Sequence, residues 1–198
     1  MNLRNPRTIN LTPLWVLISV NVLIFIATSI ASGSFFSLSP AVTGQIGVNY
    51  YTLGNQPWTI VSAMFAHDGI YHILFNMITL YFYGMYVLAL VGEARFFLVY
   101  FIGGLVGNAF FLLTNHFAFA VGASGAIFAL GGLLVVLVPK LKVMILFIPV
   151  PIDLWIAILI FAVLSLSPGI AWQAHAGGLI TGLAAGYFFK RQAVRRHL

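Results

Sequence analysis

Long apolar runs separated by short polar punctuation fill most of the chain. Residues 14–31 are apolar except for Ser19, Asn21, Thr28 and Ser29. Residues 32–66 carry Gly, Pro, Tyr and Trp58 but no charge, which predicts a segment lying in the membrane interface. His67-Asp68-Gly69 then opens the run 70–91, which contains His72 and Asn76. The turn Gly92-Glu93-Ala94-Arg95 precedes 96–113, and the run 124–138 stops at Pro139-Lys140-Leu141-Lys142. Residues 143–150 end in a proline-rich stretch and read as an interfacial connection. A short run, 152–167, and a last one, 174–189, complete the series before a basic tail. Each run approaches the ~20 residues that cross a bilayer as a helix. The pattern predicts an all-α polytopic membrane protein, a six-transmembrane-helix bundle forming one domain over 1–198. Ser29-Ile30-Ala31 resembles a signal-peptide cleavage site, but the run before it is long for that, so a retained span is preferred.

Composition agrees. The chain has 198 residues, 62% hydrophobic and 6% charged, with a mean hydropathy of +1.06. A soluble domain carries roughly a quarter charged residues. Without cysteine there are no disulfides and no thiolate metal sites. The net charge of +6 comes from a few basic residues at helix ends, which is not the footprint of a nucleic-acid binder. With the N-terminus in the cytoplasm, six spans put all nine Lys and Arg residues on the cytoplasmic side. Both termini are then cytoplasmic, and the second, fourth and sixth spans enter from outside. The cell membrane is the default location.

That orientation brings polar groups together. His72, Ser124 and His175 each fall near the outer end of an inward-going helix, with Asn76 one turn below His72. Polar side chains within a span are costly, so such a cluster is a functional candidate. Gly178, Gly182 and Gly186 recur every fourth residue, and Gly125 and Ala129 are also four apart. Two such small-residue faces can pack closely and bring Ser124 to His175. An imidazole is a suitable base for a serine hydroxyl. Of the three carboxylates, Glu93 and Asp153 fall on the cytoplasmic side. The reading is therefore a Ser–His dyad, with Asp68 as the alternative third member. His72, the Asn76 amide and the Ser124 backbone N–H are available as oxyanion donors.

Gly122-Ala123-Ser124-Gly125 (GxSG), His72-Ile73-Leu74-Phe75-Asn76 (HxxxN), and Ala174-His175-Ala176-Gly177-Gly178 with its glycine face resemble the motifs of the rhomboid family of intramembrane serine proteases. Met64-Phe65-Ala66-His67 is similar too. The resemblance implies Ser124 as nucleophile, His175 as general base, and His72 and Asn76 as oxyanion donors. Gly122, Gly125, Gly178 and Gly182 would pack the helices around the site. It implies single-pass transmembrane substrates cut near their outer ends, in a lipid bilayer, with no cofactor and no metal. Segment 32–66 would be the half-embedded first loop and the fifth span a mobile helix. The chain would be a minimal form of the family. It departs where Trp58 is followed by Thr59 rather than Arg, and where Glu93 and Arg95 sit close together. A metal site on His67, His72, His116 and His175 is the first competing reading, although no HExxH pair occurs. An inactive helix-binding relative is the second. A channel or transporter would be expected to show inverted repeats or charges at mid-membrane depth, and neither is seen.

Overall fold

The structure, a computed structural model, describes residues 9–145 and 148–195. Arg4, Arg7 and Arg196, counted in the charge asymmetry, lie outside the described residues. Helix α1 (Thr12–Ser32) starts with proline in its first turn and ends at Gly33. Two short helices, α2 (Pro40–Ile46) and α3 (Thr59–Ser62), lie within the uncharged segment. Helices α4 (Ile70–Val91) and α5 (Glu93–Thr114) are joined by Gly92 alone, and α6 (Ser124–Leu137) follows a loop. Three of these, α1, α4 and α5, are long and apolar enough to cross a membrane.

The next stretch departs from an all-α chain. Two antiparallel strands, β1 (Lys142–Ile145) and β2 (Ile148–Asp153), pair here, with Lys142 bonded to Asp153 at 2.7 Å at one end of the ribbon. Pro149 and Pro151 lack the N–H groups a helix would need, and β-branched residues alternate through the segment. A two-stranded ribbon, all edge, tolerates both prolines. Helix α7 (Leu154–Leu164) consequently starts after the strand pair, not at 152, and its 11 residues span about 16 Å. Helix α8 (Trp172–Arg195) overruns the apolar run 174–189 at both ends and carries Lys190, Arg191 and Arg195 within it.

Helix α6 is the hub. It packs on α4, α5, α7 and α8, and nine of its 14 residues are buried. Its contact with α8 is made of backbone. A Cβ added at Gly178 would overlap the Gly125 carbonyl, and one at Gly182 would overlap that of Ala129. Two helices whose axes come this close gain dispersion contacts that larger side chains would prevent. The periphery is the inverse: Leu23, Ile30, Leu113, Leu159 and Phe188 are all exposed, as hydrocarbon solvent allows.

The chain entering α4 is stitched to the chain entering α6. The Gly122 N–H donates to the Ala63 carbonyl at 2.8 Å. His67 is fully buried, donates through Nδ1 to the Phe65 carbonyl at 3.2 Å, and accepts at Nε2 from the Ala123 N–H at 3.5 Å. Burial, and then the neighbouring His72, hold its pKa down to about 3. A neutral imidazole is required here, because a protonated Nε2 could not accept from Ala123.

Gly182→Leu is expected to destabilise the protein by about 1–3 kcal/mol or more, read as a lower unfolding temperature in detergent. Gly44→Ala, inside α2 with open space at its Cβ, is expected to keep that temperature or raise it slightly. The buried His67 makes stability fall with acid. Above about pH 7 both folded and unfolded chains hold it neutral. Below its ordinary value of 6.5 the unfolded chain takes up a proton that the folded chain refuses until about pH 3. Stability should thus drop by up to about 1.4 kcal/mol per pH unit between these limits. His67→Gln should show a shallower decline between pH 7 and 4; an equal slope would assign the loss elsewhere.

Candidate active site

Ser124 is the first residue of α6, so its backbone N–H has no acceptor in its own helix. The turn before it requires glycine. Gly122 sits at φ 130°, and a Cβ there would come within 2.8 Å of His72 Nε2 and 3.5 Å of Ser124 Oγ. The same empty corner therefore borders the serine hydroxyl and the His72 ring.

His175 lies in the first turn of α8, one turn before Gly178. With α8 seated on α6, its Nε2 stands 2.7 Å from Ser124 Oγ. The ring stacks on Phe128, with centroids 4.5 Å apart and planes 17° from parallel. Its Nδ1 faces Ser165 Oγ at 2.7 Å.

On α4, His72 Nδ1 accepts from the Asp68 backbone N–H at 3.2 Å. In the neutral ring the proton is then on Nε2, the nitrogen facing Gly122. His72 is thus a donor toward the space beside Ser124. Asn76 is buried and gives one amide hydrogen to the His72 carbonyl at 2.8 Å. Its second amide hydrogen is left for another acceptor.

Asp68 is not brought to His175. Its carboxylate accepts from the Leu38 N–H at 2.7 Å, which anchors the uncharged segment to the start of α4. The alternative triad therefore lacks its third member. His116 stacks against Tyr50 with ring centroids 4.2 Å apart. Among the described residues no group of three or more His, Cys, Asp or Glu side chains is placed to hold a metal ion.

Three participants escape the sequence. Phe128 is four residues after Ser124, a spacing that puts both on one helix face. His67 follows a recognisable phrase, but nothing in it points to Ala123. Ser165 stands in a short turn between α7 and α8 and carries no motif.

Comparison with known proteins gives the chain a family. The Rhomboid domain model matches residues 54–192. The chain is 32% identical over 155 residues to RHOMBOID-like protein 4 of Arabidopsis thaliana, covering 76% of this chain and 39% of that protein. It is 32% identical over 172 residues to a Bacillus subtilis protein named Putative rhomboid protease YdcA, covering 82% of this chain and 85% of that one. A shorter match, 27% over 89 residues, is to Inactive RHOMBOID-like protein 8 of Arabidopsis thaliana, covering 45% of this chain and 25% of that protein. The chain spans about two fifths of the length of the first plant relatives it matches. With a family model matching well over half its residues and apolar helices long enough to span a bilayer, this chain is an integral membrane protein of the rhomboid family.

Proposed function

We propose that the chain is an intramembrane serine endopeptidase that cleaves the transmembrane segments of single-pass membrane proteins near their extracytoplasmic ends. The observation that carries this reading is the 2.7 Å approach of Ser124 Oγ to His175 Nε2, beside a histidine whose own proton faces the same space. His175 Nε2 takes the Oγ proton as Oγ attacks the scissile carbonyl carbon. The carbonyl oxygen becomes an oxyanion, and the Ser124 N–H, His72 Nε2–H and the second Asn76 N–H are its donors. Collapse breaks the peptide C–N bond, and His175 passes its proton to the leaving amine. Water, deprotonated by His175, then hydrolyses the acyl-enzyme and restores the serine.

Six spans, with both termini in the cytoplasm and the cell membrane as location, fit this chemistry. Helices α6 and α7 are apolar but short, at 14 and 11 residues, so they cross a locally thin layer together with their flanking segments. Arg95, Lys140, Lys142, Lys190 and Arg191 then share the cytoplasmic side, while Ser124, His72 and His175 lie toward the other. A soluble partner is not needed: the substrate reaches the site from the lipid.

The similarity to an inactive relative supports a second reading, a helix-binding protein without catalysis. Cleavage of a tagged single-span substrate by the purified chain in liposomes separates the two. The wild type is expected to cut and Ser124→Ala and His175→Ala to lose activity altogether. Asn76→Ala should lose about tenfold, because other donors remain. Asp68→Asn should keep activity within a few-fold. Cutting by Ser124→Ala, or loss in Asp68→Asn as complete as in Ser124→Ala, would overturn the assignment.

A further inference from the structure

Ser165 stands just beyond the end of α7 and is 4% exposed. Its hydroxyl lies 2.6 Å from the Phe161 carbonyl and 2.7 Å from His175 Nδ1. A carbonyl can only accept, and a hydroxyl has one hydrogen. The Ser165 hydrogen is therefore committed to Phe161, and the Ser165 oxygen is left to accept. The proton of the neutral His175 ring must then be on Nδ1, which leaves Nε2 as the lone-pair nitrogen facing Ser124 Oγ. In the other tautomer Nε2 would carry the hydrogen and could not take a proton from the serine.

The side chains around the adjoining cavity supply no substitute acceptor. Ser165 and His175 border a cavity of about 210 Å³ whose other walls include Phe128, Ala162, Leu166 and Leu179. These are apolar, and Trp172, also in the wall, offers only an N–H donor. Phe128 stacks on the ring and fixes the plane of the imidazole but cannot choose its tautomer.

We infer that Ser165 is a positioning residue for proteolysis: it accepts the Nδ1–H of His175 and so holds the base in the one neutral tautomer that can deprotonate Ser124. The hydroxyl takes the place that a carboxylate holds in a triad, without adding a charge to an apolar site. It also supports the imidazolium formed during attack, whose Nδ1–H it keeps bonded. This inference rests on the proteolytic reading above.

The test uses the full chain in liposomes and two readouts. In the first, Ser165→Ala should lower kcat about tenfold or more with KM unchanged, and Ser165→Thr, which keeps the hydroxyl, should recover most of it. In the second, nitrogen NMR of histidine-labelled protein, with the His175 signals assigned by their loss in His175→Gln, should show Nδ1 protonated in the wild type. Ser165→Ala should shift the population toward Nε2–H. The inference is overturned if the wild type is protonated at Nε2, or if either kcat or the tautomer in Ser165→Ala matches the wild type. Failure of the proteolytic reading looks different. A wild type that neither cuts nor is labelled at Ser124 by a fluorophosphonate would sink that reading, while the tautomer comparison still decides whether Ser165 sets the state of His175.

Discussion

The contact between α6 and α8 is the constraint on which the rest depends. In a bilayer two apolar helices gain little from hiding each other from lipid, so their separation is set by the size of the groups between them. At Gly178 and Gly182 no side chain intervenes, and the α8 backbone rests on the carbonyls of Gly125 and Ala129. Ser124 is one residue before the first of those contacts and His175 three residues before its partner glycine. A hydrogen bond of 2.7 Å between them is the consequence. Helix α6 can serve as the shared surface because it is small-residue-rich and buried on nearly every side.

Upon that frame, three buried or half-buried histidines are held in defined states by neighbours that can play one role only. A backbone carbonyl makes His67 a donor at Nδ1, and a backbone N–H makes His72 an acceptor at Nδ1. A hydroxyl already committed to Phe161 makes His175 a donor at Nδ1. His72 and His175 thus present opposite nitrogens to the space around Ser124: one offers a proton and the other a lone pair. The acyl transfer proposed above needs both, the first for the oxyanion and the second for the nucleophile. The positions come from helix packing, but the protonation pattern comes from loops and turns.

The helices, and the residues that meet at Ser124, were legible because they obey spacing rules. Glycines four apart define a helix face, as do His72 and Asn76, and apolar runs between charged turns define elements. What was not legible obeys no such rule. The strand pair β1–β2 is apolar like a span, and only its prolines and β-branched residues speak against a helix. Asp68 looked available to His175 by its side of the membrane, yet a loop contact with Leu38 claims it. Ser165 lies ten residues from His175 across a turn whose path depends on tertiary packing. A lone serine in a polar turn gives no sign of this.

The most direct test of the account is covalent. The purified protein is treated with a fluorophosphonate and the adduct located by peptide mass spectrometry, beside His175→Ala and a Ser165→Ala control. The account predicts a single adduct on Ser124, absent in His175→Ala and slowed in Ser165→Ala. Labelling of Ser124 at the same rate without His175, or an adduct on another serine that accounts for the labelling, would contradict it.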